Sequence, residues 1–447
     1  MIKSLGFIRQ YISWTTSSYS LAFFRVIFGM LMLFSTLRFI VLGWIEEQYI
    51  QPSYHFPYYG LEFIQAYSPE FVYGLFLCLL LSTIGIILGF YYRVSIIAFF
   101  LVFTYIELID KTYYLNHYYF VSVMAGILCF IPAHIVCSID SKRNSSFVAE
   151  TVPRYYVDII RCMIAIVYVY AGIAKINSEW LLKAMPLSLW LPAQDTFPLI
   201  GFIFKERVTA YIFSWGGMLF DCTIPFFLMM KRTRILAFCA VLFFHAMTGY
   251  FFQIGVFPLI MSLSVLIFFD ASFHKKTLSF LLPFAHNSVN ITERVYIGNR
   301  YIPYILCTML CVQLIVPWRY LLYQGNRFWT EQGYRFGWRV MLMEKSGSAT
   351  FYVKDAKTGK EGMVVNSEFL NRHQEKQMAM QPDMIVQFAH YVGDYYRRKG
   401  MMIAAVRAEV YATLNGRPSR LLIDPNINLL ECSDDFSEKQ WIYHYND

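Results

Sequence analysis

The sequence predicts an α-helical polytopic membrane bundle of about nine spans, carrying a C-terminal α+β domain outside the membrane. Three observations predict it. The 447 residues are 57% hydrophobic and only 15% charged, whereas a soluble globule carries roughly 25% charged residues. The shortage of charge falls in the first 318 residues, as apolar runs close to the ~20 residues that cross a bilayer. Residues 319–447 return to mixed polar patterning. Helices follow for the first part because a helix satisfies its own backbone in lipid.

Residues 1–18 read as a short amphipathic approach. Lys3 and Arg9 are not followed by a small-residue cleavage site, so the first apolar run is expected to remain as a transmembrane helix. The expected spans are roughly 20–43, 71–91, 94–110, 117–134, 155–175, 208–230, 234–251, 255–271 and 301–318. No internal repeat interrupts them. One set of loops holds Lys3, Arg9, Arg93, Lys142, Arg143, Arg154, Lys231, Arg232, Arg234, Lys275, Lys276, Arg294 and Arg300. The other set holds Lys111, Lys183, Lys205 and Arg207, and its first loop, 44–70, has four glutamates and no base. The more basic set is predicted to be cytoplasmic. The C-terminal domain is then non-cytoplasmic, and the sequons at Asn144 and Asn290 are expected to be unglycosylated. Aromatic residues, with 34 Tyr and 41 Phe, suit interfacial belts.

Several charges lie within the spans. Arg25, Arg161 and Asp221 are read as structural ion pairs that fix helix packing, although intramembrane charges also line transport pathways. Arg38 follows Arg25 in the first span, and Glu107 lies near the end of the third. Asp110 and Lys111 stand at a boundary where solvation accounts for them. In the tail, Tyr334–Met343 has strand-like composition. Thr350–Asp355 and Glu361–Val365 flank a hairpin turn. Ser367–Met380 and Pro382–Lys399 read as helices, and Asn415-Gly416 turns Val406–Leu414 back into Arg420–Ile423. The domains are therefore expected at 1–318 and 319–447.

Most of the nine cysteines lie singly in apolar runs and make no disulfide framework. No Gly-rich phosphate loop and no Cys/His metal spacing is present. The net charge of +8 is spread over short loops and the tail and does not suggest nucleic acid. No metal is expected, and the surroundings are membrane lipid.

Three polar residues share one depth by the loop charges. Lys175 ends the fifth span, His117 follows Asn116 at the start of the fourth, and His245 lies in the matching half of the seventh. Each has two readings. Lys175 is either a snorkelling lysine or an amine shielded from water, which sheds its proton more readily and serves as a base. His117 and His245 are either packing residues or members of a site.

The motifs around these residues carry a resemblance. Ile106-Glu107-Leu108-Ile109-Asp110-Lys111-Thr112 with Leu115-Asn116-His117-Tyr118-Tyr119 is similar to a signature of the vitamin K-dependent gamma-glutamyl carboxylase family, including its bacterial homologues. So are Tyr170-Ala171-Gly172-Ile173-Ala174-Lys175 with Trp180, and Phe244-His245 with Gly255 and Phe257. In the tail, Trp329, Gly333–Trp338, Leu414–Arg417 and Asp424-Pro425 resemble the family's outer domain. The resemblance covers nearly the whole chain.

The resemblance implies an enzyme that oxygenates reduced vitamin K, a naphthohydroquinone, to its epoxide. The strong base produced removes a γ-proton from a glutamate of a peptide or protein substrate, and the carbanion adds carbon dioxide. Oxygen and carbon dioxide are co-substrates. Lys175 matches the family's base towards the hydroquinone, and His117 matches a histidine of the carboxylation half. Asn116 and His245 match residues expected to bind substrate. Ala174 stands where the animal enzymes have the first of two adjacent lysines. Loop 44–70 lacks the cysteine with which those enzymes tie the outer domain by a disulfide. Two other functions remain open: quinol epoxidation without carboxylation, and a transporter or lipid-binding protein on the same scaffold.

Overall fold

The run from Pro69 to Leu88 shows how the sequence builds its spans. The Ser68 hydroxyl accepts a hydrogen bond from the Phe71 amide (3.2 Å). Pro69 takes a first-turn position, where no amide is required. Gly89 ends the helix at φ +61°, and a side chain there would lie 2.5 Å from the Arg25 guanidinium. The computed structural model describes residues 10–198, 200–252, 254–283 and 294–445. The start of the amphipathic approach and the Asn290 sequon lie outside them.

Among the described residues, the apolar helices in chain order are α1 (Tyr19–Val41), α2 (Pro69–Leu88), α3 (Tyr92–Ile109), α4 (Asn116–Phe130), α5 (Tyr155–Ala174), α6 (Arg207–Met229), α7 (Arg234–Phe252), α8 (Phe257–Ser264) and α9 (Ile302–Ile315). Seven are long and apolar enough to cross a membrane, α9 with its continuation to Leu322. The other two, α4 and α8, stand at the fourth and eighth expected spans but are shorter. Ile131 is extended ahead of Pro132, which closes α4 early. Gly255, at φ +63°, precedes α8 and delays its start. The chain is a multi-pass membrane protein by these helices.

The interior charges are satisfied in different ways. Arg161 pairs with Asp158 (3.3 Å) and donates to the Ile267 carbonyl (3.0 Å). Arg25 has carbonyl partners in place of the expected acid: it donates to Ala133 (3.1 Å) and Cys137 (2.5 Å). These carbonyls follow α4, where the helix has ended and left them without helical partners.

The C-terminal part is an antiparallel sheet of β3 (Lys345–Asp355), β4 (Glu361–Met363), β5 (Ile403–Leu414) and β6 (Arg420–Leu421), in the order β4-β3-β5-β6. Two earlier short strands, β1 (Thr15–Ser17) and β2 (Thr151–Pro153), pair just ahead of the N-terminal ends of α1 and α5. Val406, Ala408, Val410, Ala412 and Leu414 alternate inward along β5. They pack against α11 (Pro382–Arg398), which buries Met384, Ile385, Phe388, Ala389 and Val392. Before it, α10 (Arg372–Met378) is capped by Asn371. Both expected hairpins form, with Asn415 and Gly416 at φ +52° and +71°.

Tyr334–Met343 departs from expectation. It is irregular, with Phe336, Trp338 and Met341 all at positive φ. Its aromatic residues pack against α4 and not into a sheet. Trp338 stacks on Tyr119 (4.8 Å), and Phe336 meets Tyr114 and Tyr119 edge-on. Composition suited to a strand therefore serves a plug between the two parts of the chain.

The C-terminal part is docked on the loops that follow α1, α3 and α5. Asp110 and Lys111 are buried there, contrary to the solvated boundary expected of them. Gln374 donates to Asp110 (2.7 Å), and Lys111 pairs with Asp383 (2.8 Å), which also pairs with Arg335 (2.8 Å). Burial opposes ionisation of Asp383, but Arg335 and Lys111 hold its carboxyl well below the usual range. On the other side Glu179 accepts from Arg417 (2.7 Å), Asn415 (3.1 Å) and Lys183 (2.8 Å). Burial acts to raise the Glu179 carboxyl, and these donors overcome it and lower it to about 2.

A carboxyl lowered on folding contributes stability that is complete above its unfolded value, ~4.3, and lost as pH falls through the folded value. Protection from hydrogen exchange across 414–421, taken relative to the intrinsic rate at each pH, should therefore be high at pH 5–7 and fall as pH falls towards about 2. Glu179→Gln should weaken this docking already at pH 7 and flatten its acid dependence. An unchanged acid profile in that variant would exclude Glu179 as the titrating group.

Candidate active site

Gly172 decides where the lysine at the end of α5 finds its partner. A Cβ at Gly172 would lie 2.5 Å from the Cys222 sulfur and 2.8 Å from its backbone nitrogen. The missing side chain lets α5 and α6 approach closely. Three residues later, Lys175 Nζ donates to Asp221 Oδ2 at 2.6 Å and to the Ala171 carbonyl at 3.3 Å. Both side chains of the pair are buried, at 8% and 6% exposure. The ammonium also lies 5.3 Å from the Trp180 ring centre. Trp180 is held in turn by reciprocal bonds with Ser214, its Nε1 donating to the Ser214 carbonyl (2.8 Å) and the Ser214 hydroxyl donating back (2.5 Å).

The pair lines an apolar cavity between α5, α6, α7 and α8. Tyr168 is two turns before Lys175 on the same face of α5. Its hydroxyl and His245 Nε2 share a hydrogen bond of 2.8 Å. His245 Nδ1 is buried and has no protein partner among the described residues. Aromatic side chains complete the wall, including Phe213, Phe244 and Phe252.

His117 and Asn116 line a second, larger cavity. Leu115 is extended and brings both residues into the first turn of α4. The Asn116 amide donates to the Arg339 carbonyl (2.8 Å), and its oxygen accepts from Tyr114 (3.1 Å). This residue thus anchors the irregular C-terminal segment at the cavity wall. The larger cavity is more polar and includes Thr112, Tyr113, His373 and Gln377.

The four residues singled out by sequence thus divide into two pairs. Lys175 and His245 share the apolar cavity, and Asn116 and His117 share the polar one. Four residues, Ile254, Phe257, Val340 and Met341, line both. Phe257 lies near both histidines, with its ring centre 5.8 Å from each. Two side chains of the apolar site were not identified from sequence. Asp221 reads from sequence as helix packing, and nothing in the sequence sets Tyr168 apart. The signal for Asp221 is the rule that a buried charge needs a partner, applied to Lys175.

The apolar cavity suits a flat, mostly hydrocarbon ligand with hydroxyls at opposite edges. One edge would meet the Lys175–Asp221 pair and the other the unpartnered His245 nitrogen. A naphthohydroquinone fits that donor set. Among the described residues no group of three His, Cys, Asp or Glu side chains could hold a metal ion.

Residues 15–273 match the HTTM domain family, and this segment contains all four residues and Asp221. Residues 298–447 match the lumenal domain of vitamin K-dependent gamma-carboxylase. No solved structure matches the chain. With one match over the helical bundle and the other over the docked α+β part, the chain belongs to the vitamin K-dependent gamma-glutamyl carboxylase family.

Proposed function

We propose that this protein is a quinol-dependent carboxylase of peptide glutamate, coupling oxygenation of a reduced naphthoquinone to carboxylation. The observation that carries this reading is the pair of cavities. One is apolar and holds a buried amine, the other is polar and holds a histidine, and four residues form their common wall. In this reading residues 1–318 are the transmembrane catalytic domain and 319–447 the outer domain, on the non-cytoplasmic face. The scarcity of Lys and Arg in the loops beneath that domain supports the sidedness.

The reduced naphthoquinone, when bound, supplies electrons to oxygen and so generates a base stronger than any side chain. The protein's residues prepare and confine that chemistry. Lys175 and Asp221 act as one proton acceptor. A ligand hydroxyl that gives its proton to the pair leaves its charge beside the ammonium. Tyr168 fixes the His245 ring, so that Nδ1 faces the second polar edge. His117 serves the glutamate half from the other cavity, and Asn116 positions the segment around Arg339. Phe257 keeps water of the polar cavity away from the apolar one.

The test uses purified protein with reduced vitamin K, oxygen, labelled carbon dioxide and a glutamate peptide. Epoxide and fixed label are expected together. Lys175→Ala and Asp221→Asn should each lower both rates, by about 10²-fold or more, because each removes part of the proton acceptor. Absence of both products would overturn the assignment for this substrate set. Epoxide without label would select oxygenation alone.

Removing the partition should separate the two halves. In Phe257→Ala, epoxide formed per carboxyl group fixed should rise about twofold or more, because the base becomes open to water before it reaches glutamate. A ratio unchanged from the wild type would show that Phe257 does not couple the cavities.

A further inference from the structure

The polar cavity contains a cation that the proposed mechanism does not use. Arg38 lies in the last turn of α1 and lines this cavity with Asn116 and His117. Its guanidinium carbon is 4.5 Å from the Trp44 ring centre. Stacking engages the face of the guanidinium and leaves its N–H fork to donate elsewhere. Arg161, Arg234 and Arg335 each have a carboxylate within 3.3 Å, whereas no carboxylate is within ion-pair distance of Arg38 among the described residues. Glu47 lines the cavity too, but its side chain is exposed. His373 uses its Nε2 on the Thr112 carbonyl (3.1 Å). Gly255 presents no side chain to Arg38, and its Cβ position would be 3.5 Å from Nη1. Arg38 is half-buried, and the cavity leaves its fork open to a ligand that supplies an anion.

We propose that Arg38 binds the γ-carboxylate of the substrate glutamate through a bidentate contact. This inference rests on the reading that the polar cavity takes the glutamate. A planar carboxylate matches the guanidinium fork, and a neutral glutamine amide does not. The contact also serves the chemistry. The γ C–H bond breaks, and its proton goes to the base generated in the adjoining cavity. The electron pair left on carbon is shared with the neighbouring carboxylate until it forms the new C–C bond to carbon dioxide. Charge thus grows on the group that Arg38 holds, in a site screened from bulk water. Arg38 would therefore bind substrate and also stabilise the carbanion.

Two fluorescent peptides that differ in one residue, glutamate or glutamine, test the contact by anisotropy with the full-length protein in lipid nanodiscs. The wild type should bind the glutamate peptide at least ~10-fold more tightly. Arg38→Gln should abolish that preference. Arg38→Lys retains the charge without the fork and should show a reduced preference. A glutamate preference that persists in full in either variant, or that is absent from the wild type, overturns the inference. Carboxylation by the wild type decides the parent assignment separately. An active wild type with an unchanged KM for peptide in Arg38→Gln refutes the Arg38 contact and leaves the assignment standing. An inactive wild type with an Arg38-dependent glutamate preference does the reverse.

Discussion

The buried Lys175–Asp221 pair is the constraint from which the rest of the site follows. Two charges removed from water lose hydration worth several kcal/mol per ion, and their mutual attraction does not generally exceed that cost. A hydrophobic pair of similar volume would hold α5 to α6 as well or better. The chain nevertheless closes these helices around the pair, using Gly172 to bring Lys175 within 2.6 Å of Asp221. In the proposed mechanism the gain is chemical. The pair is neutral in total, so an apolar ligand enters without meeting an uncompensated charge. Once the pair accepts a proton, its positive charge faces the anion it has just created. The low dielectric that makes the pair expensive also makes this compensation strong.

The docked C-terminal part completes both cavities. Val340 and Met341 come from the irregular segment and line the common wall. That segment is held by the Tyr119–Trp338 stack and by the Asn116 bond to Arg339. On one flank α10 ties down Asp110 and Thr112, immediately before Asn116 and His117. On the other flank the β5–β6 turn grips Glu179, four residues beyond Lys175. Each half of the site is therefore braced by a different end of the same domain. Loss of either brace would shift one cavity relative to the other, and the common wall leaves little room for such a shift.

Much of this was legible in the sequence, for identifiable physical reasons. Lipid demands long apolar runs, so the helices appear in one dimension. Loop charge reports sidedness, which placed Lys175, His117 and His245 at one depth. Depth is a single coordinate, however, and loop charge says nothing about position around the bundle. The residues at that depth divide between two cavities for that reason. Asp221 was read as packing because its partner is 46 residues away and the close approach depends on one glycine. Tyr334–Met343 was misread because β-like composition describes a half-buried aromatic surface, and a plug against α4 needs the same residues. Asp110 and Lys111 stand where the third apolar run ends, and much of their burial comes from a domain more than 250 residues later.

The arrangement as two cavities answers a conflict in the proposed chemistry. A fat-soluble reductant favours a dry pocket that opens towards lipid, whereas a peptide carboxylate favours a wet one that opens towards solvent. A single pocket would hydrate the strong base or strip water from the carboxylate. Separate pockets avoid both losses but must stay close enough for a proton to pass. In this proposal Phe257 meets the requirement, with its ring centre 5.8 Å from both His245 and His117. An aromatic ring is apolar enough to exclude a continuous file of water and thin enough to keep the two reacting centres near. Its position in α8, just beyond the positive-φ Gly255, lets the backbone turn sharply into the partition. In the proposed mechanism the late start of α8 leaves the space beside both histidines to this one ring.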